Sequence, residues 1–151
     1  MQNFLARHYD EIAVGERFVS RGRTVTESDI VQWCALTADW YVLHTNAHYA
    51  AGTRFGQRIA PGLMVLAYAA GFGVPPDAPA IVANYGTDAL RFTAPTFIGD
   101  TIHLESEVLA KTDKSSRDGV VQLAWNVFNQ NGTMVMKSDL QILMSCRGAS
   151  N

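Results

Sequence analysis

Two cysteines, Cys34 and Cys146, are all that the chain contains. A pair is too few for a disulfide framework, and Cys34 falls on a predicted helix while Cys146 falls in the tail, so both read as reduced thiols. Neither sign of charge is in excess: twelve basic against fourteen acidic residues give a formal charge of -2. That balance gives no support for nucleic-acid binding, and the scattered arginines suit at most a local patch for a phosphorylated small ligand. The opening MQNFLARHYDEI lacks the apolar stretch of a secretory signal. Long hydrophobic runs are missing as well. The longest near-apolar segment, Ala60 to Pro76, is interrupted by glycines, ends in Pro-Pro and is too short for a membrane span. The expectation is a soluble, cytoplasmic protein with neither nucleic acid nor membrane as partner.

What the chain does have is an ordinary core. Its hydrophobic content is 48% over 151 residues, which fits one domain, 1–151. Residues 1–16 read as an irregular lead-in closed by Val14-Gly15-Glu16, and Phe18 to Val25 as a strand. Thr26 is a good N-cap with Asp29 placed as its capping-box partner, and Ile30, Val31, Trp33, Cys34 and Leu36 give an apolar helical face up to Thr37. A short helix begins near Thr45 or Asn46 and includes Tyr49 and Ala50. Pro61 suits the first turn of a third helix, where its missing N–H is no loss. Leu63, Met64, Val65, Leu66, Tyr68, Ala69, Ala70 and Phe72 make that helix apolar on nearly every side, so it is expected to be buried.

After Ala80 the pattern turns to strands: Ile81 to Phe92, Thr101 to Ala110, Val120 to Asn129 and Met134 to Met144. Ile102 and Leu104 alternate with His103 and Glu105, as a half-buried strand requires. Asn131-Gly132 predicts a tight hairpin, and Asp118-Gly119 another turn. The fold class is α+β, an antiparallel sheet covered by the hydrophobic helix.

Chemistry concentrates between Asp39 and Met64. Asp39 and His44 lie in a short non-periodic stretch, where polar side chains can face a ligand. An imidazole moves protons near neutrality, and a carboxylate can orient water or stabilise the imidazolium. The same two residues would also serve as a turn cap and a satisfied structural histidine. Gly62 heads the apolar helix, so its amide is free to meet a developing oxyanion, or it simply makes a sharp loop-to-helix junction. Acid–base groups facing amide donors fit chemistry beside an activated carbonyl. His8, His48 and His103 read as surface or structural residues. No zinc signature is present, and the proposed chemistry needs no metal.

The order Asp39…His44…Tyr49-Ala50…Phe55-Gly56…Ile59-Ala60-Pro61-Gly62 resembles the MaoC-like dehydratase family, which includes R-specific enoyl-CoA hydratases. Leu90-Arg91-Phe92-Thr93-Ala94-Pro95 and Gly99-Asp100-Thr101-Ile102 continue the resemblance, which runs from Phe18 to the last strand. It implies a hot-dog fold, a curved antiparallel sheet around a long hydrophobic helix, and at least a homodimer. It implies that Asp39 and His44 are catalytic and that Gly62 supplies the oxyanion donor, in the reversible addition of water to a trans-2-enoyl-CoA. CoA is then the substrate carrier, with no separate cofactor. Two departures stand out. The family's Asp-x-Asn-Pro-x-His is here Asp39-Trp40-Tyr41-Val42-Leu43-His44, and Pro61 replaces the usual histidine before the helix glycine. Trp40 and Tyr41 either shape the acyl pocket or pack against a partner subunit. Arg54, Arg58 and Arg91 are candidates for the phosphates of CoA, with an internal ion pair as the other role for Arg91. Related hot-dog proteins hydrolyse the thioester, so a thioesterase and a non-catalytic acyl-thioester-binding protein are the alternatives.

Overall fold

The computed structural model describes residues 3–148. These residues form six strands and four helices, besides two 3-10 turns. Strand β1 (Arg17–Val19) and β2 (Arg23–Thr24) precede helices α1 (Glu27–Thr37), α2 (Val42–Thr45), α3 (Ala47–Ala51) and α4 (Gly62–Gly73). Four long strands follow: β3 (Ile81–Phe92), β4 (Thr101–Asp113), β5 (Asp118–Phe128) and β6 (Met134–Ser145). The sheet is antiparallel in the order β1-β4-β5-β6-β3, with β2 also paired to β4. Alternation in β4 puts Ile102, Leu104, Ser106 and Val108 on the inner face. Their partners Val127, Trp125 and Leu123 in β5 extend the same face under α4.

The lead-in, read as irregular, contains two 3-10 turns, Phe4–Ala6 and Tyr9–Glu11. Phe4, Leu5, Tyr9 and Ile12 reach the main core. Tyr9 explains a second difference. Asp118-Gly119, expected as a turn, opens β5, and the turn lies just before it, where Lys114 N–H donates to Asp118 O. A Cβ on Gly119 would sit 2.2 Å from Tyr9 Cζ, so this glycine makes room for a ring. Phe18 to Val25 is two strands rather than one, interrupted at 20–22. The hairpin near Asn131-Gly132 forms, with Gly132 alone in the left-handed region at φ 74.

Helix α4 is buried less completely than its composition predicts. Met64, Val65, Ala69 and Gly73 face the sheet, while Leu63, Ala67, Ala70 and Gly71 are exposed and Leu66 is half-buried. The sheet covers one side of the helix, and the described residues leave much of the other side open. Strand β3, at the sheet edge, is exposed along most of its length, including Val82, Tyr85 and Phe92. Its pairing with β6 shifts register three times, and Ala89 within the last shift has a φ of 51. The bulge bends the strand before Phe92.

Candidate active site

The site is assembled where α1 ends, α2 begins and α4 starts. Thr26 and Asp29 close a capping box at the head of α1. At its other end Thr37 Oγ1 donates to Trp33 O at 2.7 Å and accepts from Asp39 N–H at 3.3 Å. Ala38 between them adopts φ 59, ψ 19. The stretch expected to be non-periodic contains α2, a single helical turn after Tyr41, and His44 rides on it. Asn46 caps α3 by accepting from Tyr49 N–H at 2.9 Å.

His44 Nδ1 lies 2.8 Å from Ile59 O. A carbonyl can only accept, so Nδ1 carries the proton and Nε2 presents its lone pair. Ile59 is held in turn by a bridge to Phe97, and Ala60 N–H donates to Thr96 O at 2.7 Å. The Tyr41 ring stands edge-on to the imidazole, 5.7 Å between centroids. Gly62 begins α4 behind Pro61. Met64 and Val65 N–H both turn back to Pro61 O, whereas Gly62 and Leu63 N–H meet no acceptor among the described residues. A Cβ on Gly62 would lie 2.7 Å from Phe92 Cε2, so the ring packs where a side chain would be.

His44 and Gly62 line one small cavity of about 190 Å³, with Ile59, Val65, Phe92 and Val135 among its apolar walls. Asp39 is outside that lining, half-buried at the end of α1, and its carboxylate has no hydrogen bond among the described residues. It stands near Cys34, whose thiol is pushed up by burial and then by the Asp39 charge. Trp40 and Tyr41 are both about half exposed, and only Tyr41 is seen against His44. Arg58 is committed to Glu27, with Nη1 2.7 Å from Oε1. Arg54 is exposed, and Arg91 Nη1 donates to Leu90 O at 2.7 Å instead of to a carboxylate. Phe92, Thr96, Val135 and the Ile59 carbonyl were not foreseen as parts of the site. Phe92 and Ile59 had a signal, their places in Leu90-Arg91-Phe92 and Ile59-Ala60-Pro61-Gly62, though not one that named the Ile59 carbonyl. Among the described residues no group of three His, Cys, Asp or Glu is arranged to hold a metal, and no helix is long and apolar enough to cross a membrane.

Residues 11–127 match the model of the MaoC like domain. The chain belongs to this MaoC-like family. It has the family's hot-dog fold, with α4 as the central helix and the antiparallel sheet wrapped around it. Protein MaoC of Klebsiella aerogenes is 34% identical over 122 residues, covering 80% of this chain and 36% of that protein. The chain therefore spans about a third of this relative's length. Among solved structures, a monoamine oxidase regulatory protein from Archaeoglobus fulgius is 36% identical with a TM-score of 0.88, covering 93% of this chain and 95% of that one. R-Hydratase PhaJ1 from Pseudomonas aeruginosa, solved unliganded, is 33% identical with a TM-score of 0.74, covering 95% and 92%.

Proposed function

We propose that the MaoC-like domain adds water reversibly to a trans-2-enoyl-CoA, giving an R-3-hydroxyacyl-CoA. The observation that carries this reading is the apolar pocket shared by His44 and by Gly62 at the head of α4, where neither His44 Nε2 nor the Gly62 N–H has a hydrogen-bond partner among the described residues. The R configuration rests on the likeness to the Pseudomonas R-hydratase.

In hydration the thioester oxygen accepts from Gly62 N–H. As water attacks C3, negative charge builds on that oxygen, and a donor fixed in an apolar wall stabilises it at the moment it forms. His44 Nε2 takes the water proton, and Asp39 is assigned the orienting of that water. The proton is returned to C2, so the step is redox-neutral and hydro-lyase in both directions. The carbonyl of Ile59 keeps His44 in the required tautomer throughout.

The acyl chain has a place to lie. A cavity of about 530 Å³ runs along the α4 flank from Leu63, next to Gly62, to Val74, with Leu66, Trp125, Leu140 and Ile142 in its walls. Tyr41, edge-on to His44, and its neighbour Trp40 are assigned to shaping the acyl pocket. Arg54 and Arg91, exposed and without carboxylate partners among the described residues, are better placed for the phosphates of CoA than the paired Arg58. The protein works as a homodimer, or a larger assembly, joined through the exposed β3 edge and the open side of α4. The free thiols Cys34 and Cys146 agree with a cytoplasmic setting.

The test is incubation with crotonyl-CoA. Hydration removes the enoyl absorbance without releasing free thiol. Thiol release instead makes the domain a thioesterase, and binding without either reaction makes it an acyl-thioester-binding protein.

A further inference from the structure

We propose that Ala38 is a positioning residue, whose left-handed backbone sets how Asp39 is presented at the end of α1; the role rests on the hydration reading above. Among the described residues Ala38 is one of two non-glycine positions with positive φ, the other being Ala89 in the β3 bulge. A helix commonly ends in this conformation, but glycine usually supplies it, because a Cβ crowds the following carbonyl oxygen. A residue held there despite its side chain is a pointer to function.

The surroundings show what the conformation achieves. Trp40 N–H donates to Ala38 O at 3.0 Å, which makes Asp39 the centre of a three-residue turn. Asp39 N–H is tied to Thr37 Oγ1, and that hydroxyl is tied to Trp33 O. The backbone around Asp39 is thus fixed on both sides while its carboxylate is left without a protein partner. His44 is fixed independently, through Ile59 O. The course of the chain from α1 into Asp39 therefore turns on the dihedrals of Ala38. An extended backbone at this position would swing Asp39 and Trp40 away together and leave His44 where it is.

Three substitutions separate conformation from mere packing, read by steady-state hydration of crotonyl-CoA and by thermal melting. Glycine adopts the left-handed region freely and asparagine tolerates it, whereas branched valine resists it. Ala38→Gly raises Tm by about 2–4 °C as the crowding is relieved, and Ala38→Gly and Ala38→Asn both keep kcat within about threefold of wild type. Ala38→Val lowers kcat by about a hundredfold at near-constant KM, since a misplacement of about 1 Å is enough for a loss of that size. Where Ala38→Val does not fold, Thr37→Val, which releases the Asp39 amide, takes its place and lowers kcat by about tenfold at constant KM. Wild-type kcat in the folded valine variant, or activity in the valine variants that only tracks the folded fraction, overturns the role of Ala38. A wild-type protein inert toward crotonyl-CoA overturns the hydration reading first and this role with it.

Discussion

Replacing Gly62 with alanine puts a methyl group where the Phe92 ring already lies. The added carbon would stand 2.7, 2.8 and 2.9 Å from three ring atoms, against a normal separation of about 3.5–4.0 Å. The ring must move by roughly 1 Å, and Phe92, about half exposed at the end of the edge strand, has room to do so. Overpacking of this kind costs about 1–3 kcal/mol, while alanine in a helix recovers up to about 1 kcal/mol relative to glycine. The net loss of stability is about 0–2 kcal/mol, and the variant folds. Activity responds more strongly. The backbone N–H survives in alanine, but the methyl beside it would keep the thioester oxygen from the close approach proposed for Gly62, and an oxyanion left without one donor costs about 100- to 1000-fold in kcat. The assay is crotonyl-CoA hydration together with thermal melting, for Gly62→Ala and for Gly62→Ala with Phe92→Leu. The smaller side chain restores Tm in the double variant without restoring kcat. A Gly62→Ala protein with wild-type kcat refutes the need for close approach at Gly62, and recovery of kcat in the double variant assigns the loss to the displaced ring.

The remaining expectations rest on other parts of the molecule. Separate Asp39→Asn and His44→Ala substitutions lower hydration by about 10²- to 10⁴-fold with Tm and CoA affinity nearly unchanged; full activity in either removes that residue from the mechanism. Asp29 is almost fully buried; burial alone would raise its pKa, but bonds from Thr26 N–H, Tyr68 and the Thr26 hydroxyl, with the Arg23 charge, hold it below the usual carboxylate range. A depressed folded-state pKa contributes stability above the unfolded pKa of 3.8 that is lost as pH falls through the folded value. Asp29→Asn should therefore lower Tm at neutral pH and flatten the acid limb below about pH 4, whereas an unchanged acid limb contradicts this. Met64→Asp, which buries an unpaired charge, unfolds the protein, and Leu66→Asp on the half-buried flank is milder; equal melting points would mean that the two faces do not differ. Tyr85→Lys on the β3 edge should convert the proposed dimer to monomer in analytical ultracentrifugation, and a wild-type dimer whose sedimentation coefficient the substitution leaves unchanged would place the interface elsewhere.

Much of this fold was legible because its signals are local. The Thr26–Asp29 capping box, the apolar run behind Pro61 and the alternation in β4 each announce an element within one or two turns of chain. The long strands accordingly lie close to their expected limits. Misreadings occurred where a distant residue decides the outcome. Gly119 looks like a turn residue until the Tyr9 ring, more than a hundred positions earlier, is seen to need its space. Helix α4 looks uniformly buried because composition cannot say that a single sheet shields one side only. Of the site, His44 and Gly62 were visible as residue types near one another in sequence, and the structure brings them to one pocket. The Ile59 carbonyl, which sets the histidine tautomer, could not be read at all, since any residue supplies a carbonyl. Nor does a sequence display a dihedral: alanine at 38 carries no mark of its left-handed conformation.

The central claim, that the imidazole of His44 and the head of α4 act on one acyl thioester, is tested most directly by a crystal structure with 3-hydroxybutyryl-CoA bound. It should show the thioester oxygen about 2.7–3.1 Å from Gly62 N and the 3-hydroxyl within hydrogen-bond reach of His44 Nε2. A thioester seated away from Gly62, with His44 Nε2 facing no substrate atom, would contradict it.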